Sequence, residues 1–419
     1  MGTVVELKVC GICLDWGKNH KGNDHGFLFQ KEDRTILTEY ELSEEEEGDA
    51  LPEAFSQEVL SRRLGDIKPR LDLSGHTLEQ ARFFYEEYVK SEHAEDSPEG
   101  NFLSFDELLQ FVRETPLSEL DATYHWDYYN SLEKVKGRFS DEVFKSRIPG
   151  YDFVHDAYSE VTYYGGLLGF FPPYMLLRVL AECDSNLDSN VTWEFGSLVE
   201  NGWAYDEDFV AGAPRLQRFM IATEGTSDAH ILKHAFSLLR PSVSDFFDFI
   251  DVTERHPFPG TGNLIKFAEG LVRIDIQNRV LFVFDNDAEG HEAYQKTLAL
   301  LLPPNVRALI LPELAEFNEF PCLGPEGLNN ANINGRAAAI ECYLDLNIKD
   351  YPPAKVIWTN LKKDPGVYQG ALEYKDSYTK YFFAQQITSM ADNNYNLSKL
   401  VKVLDAIIVE ASTIAISCR

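Results

Sequence analysis

The chain has 419 residues, a formal charge of −30 and a hydrophobic fraction of 44% that includes 28 Phe and 20 Tyr. That apolar content is enough for sizeable cores and excludes a wholly disordered chain despite the charge. The acidic balance also excludes passive adhesion to phosphate backbones, so any nucleic-acid chemistry needs a local site where a divalent cation inverts the field.

Length suggests two or three domains. No apolar run reaches the roughly 20 residues of a membrane span. Gly166 to Cys183 comes nearest and is broken by Pro172-Pro173 and Arg178. Met1 to Asp15 is acidic and reads as a strand, not a secretory signal. Six cysteines in so long a chain fit reduced thiols and a cytoplasmic location, with no membrane.

In chain order, Val4 to Cys13 predicts one strand, and His25 to Gln30 and Arg34 to Glu39 two more. The acidic run Ser43 to Asp49 reads as a solvated turn or helix start. Leu51 to about Glu200 is mostly helical in period, with helices over Thr77 to Ser91, after a Ser104/Glu107 capping box, and over Tyr174 to Glu182. Asn201-Gly202 and Ala211 to Pro214 read as the exit from a first domain. Strands and helices then alternate. Phe219 to Thr223, Phe246 to Val252, Val280 to Phe284 and Val306 to Leu311 predict strands. Ser227 to Leu239, Gly262 to Gly270 and Glu289 to Leu301 predict helices. That alternation means an α/β domain with a mainly parallel sheet. Ala337 to Leu344 predicts a further helix, and Tyr395 to Ser417 an amphipathic one.

Two strand ends carry the candidate chemistry. Phe219 to Thr223 ends in Glu224-Gly225, with Asp228 at the start of the next helix. Val280 to Phe284 ends in Asp285-Asn286-Asp287. Ligands of open parallel sheets bind beyond the carboxyl ends of the strands. Carboxylates converging there suit a hard cation such as Mg²⁺, which binds through oxygen and leaves room for a phosphate. Such an ion activates water for phosphodiester cleavage. Glu224 and Asp285 are therefore expected to meet in space although distant in sequence.

Glu224-Gly225 after one strand and Asp285-Asn286-Asp287 after another resemble the Toprim domain of topoisomerases, bacterial primases, recombination mediators and the overcoming-lysogenization-defect nucleases. The resemblance spans about Arg218 to Leu311. It implies Mg²⁺, or Mn²⁺, held by Asp285 and Asp287, with Glu224 as general acid/base. Glu224-Gly225-Thr226-Ser227-Asp228 is most similar to the nuclease branch, which implies Asp228 as a second-metal ligand; a helix-capping role is the alternative. Glu289 extends the pattern, or simply favours its helix N-terminus. That branch further implies a carboxylate on a later helix, here Glu341. Arg336 is placed to receive a phosphate or to make a surface ion pair, and Lys375 to steady a leaving phosphate or to lie on the surface.

The whole chain also resembles proteins with a HEPN/Toprim-associated N-terminal domain. The resembling residues are Glu6-Leu7-Lys8, Trp16-Gly17-Lys18-Asn19, His25 to Phe29, Arg70-Leu71-Asp72, Ile333 to Arg336, Trp358-Thr359 and Gln369-Gly370. This implies an anti-phage role.

Weaker signals have ordinary alternatives. Arg70 and His76 fit a loose HEPN ribonuclease spacing, but capping or surface roles explain His76. Cys10, Cys13, His20 and His25 have zinc-ligand chemistry, yet the two cysteines lie on an apolar strand and read as buried structural residues. Glu95 to Asp106 only faintly resembles a calcium loop. Gly260 to Asn263 opens a helix and either cradles a phosphate or forms a turn.

The expected organisation is an α+β domain over 1–205, a Toprim-like α/β domain over 215–345, and an elaboration over 346–419 packed on it. The expected function is metal-dependent hydrolysis of DNA or RNA, with a protein partner or homo-oligomer. The alternative is a non-catalytic subunit using the same carboxylates for metal-dependent binding or assembly.

Overall fold

Cys10 and Gly11 both have positive φ, 47° and 84°, and they turn the first apolar run back on itself. The single strand expected over Val4 to Cys13 is therefore a hairpin of β1 (Val4–Val9) and β2 (Ile12–Lys18). A two-residue turn of this kind matches the twist of its strands and favours glycine at its second position. The computed structural model describes residues 2–41, 53–95, 101–125, 128–151, 157–250, 260–349, 351–362, 366–385 and 395–418. The acidic run Ser43 to Asp49 lies outside them. The chain divides into two units, Met1–Pro214 and Arg215–Arg419.

The first unit holds two strands that helical periodicity concealed, β4 (Glu53–Arg63) and β5 (Asn190–Glu194), besides β3 (Arg34–Glu41). All pairings are antiparallel, in the order β2-β1-β5-β4-β3. Its helices are α1 (Leu64–Leu73), α2 (Leu78–Glu95), α3 (Phe105–Arg113), α4 (Tyr128–Lys136), α5 (Glu142–Lys145), α6 (Glu160–Leu167), α7 (Pro173–Leu180) and α8 (Gly196–Glu200). The capping box before α3 is present. Ser104 Oγ accepts from Glu107 N at 3.2 Å, and the Glu107 carboxylate accepts from Ser104 N at 2.7 Å. Leu7, Val9, Leu60 and Trp193 of the sheet are fully buried in one core with Leu71, Leu108 and Leu177 of the helices.

His25 to Gln30 is not a strand but a short 3₁₀ turn over Gly26–Leu28. The buried Arg70 accounts for this. Its guanidinium donates to Phe27 O at 2.7 Å and Phe29 O at 2.9 Å, so these carbonyls are taken by a side chain. Arg70 is thus a structural residue. His76 stacks on Phe27 and packs edge-on against Tyr174.

The second unit is α/β. A parallel sheet in the order β10-β8-β6-β7 is built from β6 (Phe219–Thr223), β7 (Phe247–Phe249), β8 (Arg279–Phe284) and β10 (Val306–Ile310). Val280, Phe282 and Phe284 are buried with Leu264 and Ala268 of α10 (Thr261–Arg273) and Ala293 of α11 (Ala288–Leu298). The alternate residues Leu281 and Val283 are buried as well, which is why the strand reads as one continuous apolar run. Helix α9 (Thr226–Leu239) follows β6, and α13 (Ser398–Ser417) packs on α9, β8 and β10. A second sheet, β12-β11-β14-β15, uses β11 (Phe320–Gly324), β12 (Gly327–Ala331), β14 (Val356–Lys362) and β15 (Val367–Leu372), and α12 (Lys375–Phe383) follows it.

The helix expected over Ala337 to Leu344 is absent. Ala337–Ala338 forms β13, paired antiparallel with β9 (Asn286–Asp287), and a 3₁₀ turn spans Ile340–Tyr343. Tertiary pairing overrides the helix propensity of three alanines. No helix among the described residues is long and apolar enough to cross a membrane.

Candidate metal centre and its carboxylates

Strands β6 and β8 are parallel neighbours, with Thr223 in register with Val283. The residues just beyond them, Glu224 and Asp285, therefore emerge at the same sheet edge. Glu224 Oε1 accepts from Asp285 N at 3.2 Å, joining two residues far apart in sequence. Asp285 Oδ1 accepts from Ile340 N at 2.9 Å, so the turn that replaces the expected helix is docked by the site itself. Asp287 Oδ1 caps α11 through Gly290 N at 2.7 Å, and its Oδ2 accepts from Gln369 Nε2 at 2.6 Å. Asp228 reaches back from the first turn of α9 to Gly225 N at 2.8 Å. Glu341 is buried on the 3₁₀ turn.

Four of these carboxyls carry the marks of shared buried charge. Burial, then Asp287 and Asp228, push Glu224 up to about 8. Burial, then Glu341, push Asp228 up to about 7. Burial and the carboxylates of Asp228 and Glu224 drive Asp285 well above the usual range, and burial raises Asp287 too. The folded protein therefore retains protons, between about pH 4 and pH 8, that the unfolded chain has released. Stability should fall as pH rises through that window. In EDTA the melting temperature is expected to be higher near pH 6 than near pH 8, with Asp285→Asn flattening the slope. A parent melting temperature that rises with pH would contradict the shared charge.

The remaining candidates are placed differently. Glu289, in the first turn of α11, is half exposed and pairs with Lys362 at 2.9 Å. Lys375 is 56% exposed, and its Nζ stands 3.9 Å from Glu341 Oε1. Arg336 is half-buried, its backbone bridged to Asp287, and its guanidinium has no ion pair among the described residues. The glycine turn before α10 serves the site through its backbone, since Gly260 N donates to Glu224 O at 3.0 Å.

Gln369, noted in the sequence only as part of a family resemblance, and Gly290 are the site residues whose roles sequence reasoning missed. Gln369 holds Asp287 and also accepts from Glu289 N at 3.2 Å. At Gly290 a Cβ would lie 2.1 Å from Asp285 O and 3.0 Å from Glu224 Oε1. A glycine three residues after the second aspartate was the available signal.

The donor set is all carboxylate oxygen, with no sulfur and no imidazole, which is the chemistry of Mg²⁺ or Mn²⁺. Among the described residues no three His, Cys, Asp or Glu side chains already converge tightly enough to hold an ion. Each of four carboxylates is held instead by a backbone amide. Cys10 and Cys13 are exposed rather than buried, Cys10 because it occupies the hairpin turn. His25 is engaged by Asp15 at 3.2 Å and the Tyr174 hydroxyl at 2.8 Å.

No curated protein and no solved structure matches the chain. The HEPN/Toprim N-terminal domain 1 family matches residues 1–217, slightly over half of the 419, and the chain belongs to that family.

Proposed function

We propose that the second unit is a Toprim-like phosphodiesterase, a nuclease that works with Mg²⁺ or Mn²⁺. The observation that carries this reading is the hydrogen bond between Glu224 Oε1 and Asp285 N, which gathers two half-buried acidic strand ends at one sheet edge. Asp285 and Asp287 would hold the ion, with Asp228 and Glu341 as neighbouring oxygen donors. Binding exchanges some of their amide hydrogen bonds for metal bonds and offsets repulsion that is costly in a buried site. A bound divalent cation supplies an activated water and stabilises the developing charge on phosphate.

With no cation bound, burial and the neighbouring carboxylates push Glu224 up to about 8, and this raised proton affinity suits a general acid/base. Arg336 and Lys375 anchor substrate phosphate by charge, and a protein partner or second copy adds the positive surface that a chain of −30 lacks. The family points to a nuclease-related or defence setting, and an anti-phage role rests on that resemblance.

The test is cleavage of single- and double-stranded DNA and of tRNA with Mg²⁺, Mn²⁺ or EDTA. Asp285→Asn and Asp287→Asn each remove one negative ligand oxygen. Their cleavage should half-saturate at roughly tenfold higher Mg²⁺ or more, since even the outer-shell partners of metal ligands are worth about 10- to 100-fold, and excess metal should restore part of the rate. Cleavage that persists in EDTA overturns the reading. Metal-dependent binding without any cleavage favours a non-catalytic subunit.

A further inference from the structure

The mixed sheet β12-β11-β14-β15 of the second unit carries an aromatic feature that the carboxylate chemistry leaves unused. Trp358 on β14 stands opposite Gly370 on β15. A Cβ on Gly370 would come within 2.9 Å of Trp358 Cε3, and one on Gly324 of β11 within 2.8 Å of Trp358 Cδ1. The indole thus spans two glycines, whose missing side chains make room for it. It lines a groove of about 270 Å³ together with Tyr368, Asn329, Glu326, Pro325 and Cys322. Tyr368 is 41% exposed, with its ring 6.1 Å from that of Trp358.

One residue connects this groove to the carboxylates. The Arg336 carbonyl accepts from Gly370 N at 3.1 Å, while its backbone bridges to Asp287. Its guanidinium is also felt in the groove wall. Burial pushes the Cys322 thiol up to about 11, and Arg336 pulls against that push. Gln369, between Tyr368 and Gly370, reaches the other way to Asp287.

We propose that the groove is a stacking subsite for a base of single-stranded nucleic acid, with the adjoining phosphate on Arg336. The proposal rests on the nuclease reading and deepens it by naming the substrate class. An aromatic face accepts any base, because every base has a π-face. A base must leave its pair to reach such a face, so duplex is disfavoured. Arg336, which has no ion pair among the described residues, supplies a positive charge for the phosphate. The strand laid across the groove then presents its next phosphodiester towards Asp287 and Glu224.

The experiment measures binding without cleavage. Full-length Glu224→Gln protein in Mg²⁺ is titrated with labelled oligothymidylate, oligouridylate of equal length, and a duplex. Single strands should bind more tightly than the duplex. Adding Trp358→Ala should weaken single-strand binding roughly 5- to 150-fold, the range for one lost stack, with duplex binding unchanged. Trp358→Phe should restore most of the loss. Arg336→Ala should weaken binding and reduce the salt slope by about one. Tyr368→Ala, on the exposed rim, keeps the test open if Trp358→Ala does not fold. Unchanged single-strand affinity in Trp358→Ala, or a preference for duplex, overturns the subsite and leaves the hydrolytic reading standing. Absence of metal-dependent cleavage by the parent protein, with single-strand stacking intact, strikes the hydrolytic reading alone.

Discussion

Glu224→Gln should lower metal-dependent cleavage by roughly 10² to 10⁴, the usual worth of general acid/base catalysis. The substitution preserves side-chain size and keeps an Oε1 that accepts from Asp285 N, so the link between the strand ends survives. It removes the proton exchange and a negative charge. That charge is opposed by burial and by Asp287 and Asp228, so its loss should leave the metal-free melting temperature level or higher. Cleavage kinetics beside a melting curve separate a lost reaction from a lost fold. A variant that cuts as fast as the parent would take the general acid/base role away from Glu224.

Gly290→Ala should be nearly as damaging for a different reason. In an ordinary helix position this change stabilises by about 0.5–1 kcal/mol. Here the new Cβ would stand 2.1 Å from Asp285 O, a backbone atom that cannot rotate away. Either β8 or the start of α11 has to shift, and such overpacking costs about 1–3 kcal/mol. Gly290 N also holds Asp287, so the shift displaces two candidate ligands together. Cleavage should fall at least a hundredfold, about the cost of a small misplacement of reacting groups. Gly270→Ala in α10, where nothing lies within 4 Å of the added carbon, is the control and should be neutral or stabilising. If Gly290→Ala behaves like that control, the close approach of α11 to the strand ends is wrong.

The sequence disclosed those parts of the fold in which local pattern and tertiary burial agree. β6 and β8 are covered on both faces, so their apolar runs are unbroken and the acidic residues after them stand out. The Ser104 cap is visible because both partners lie within one turn. β5 was concealed because Asn190–Glu194 is short and mostly polar, and only its pairing with β1 and β4 makes it a strand. Ala337 to Ala339 misled for the opposite reason, since good helix formers were recruited to pair with Asn286–Asp287. At the site, the acidic residue types were legible from the strand ends. Gln369, Gly290 and the Ile340 amide were not, because what they contribute is an approach between distant segments.

The position of β5 has a consequence for synthesis of the chain. β1 with β2, and β3 with β4, are antiparallel pairs of strands close in sequence, and among the described residues only β5, which ends at Glu194, joins the two pairs. While the chain is being made, both pairs emerge long before their connector, each with an unpaired edge. Such edges invite pairing between nascent chains. The sheet closes only through contacts of high sequence separation, which makes it a slow step. Trp193, fully buried on β5, becomes enclosed as the edges are covered. Translation paused before Asn190 would therefore leave two sticky half-sheets on the ribosome, and chaperone demand should peak there.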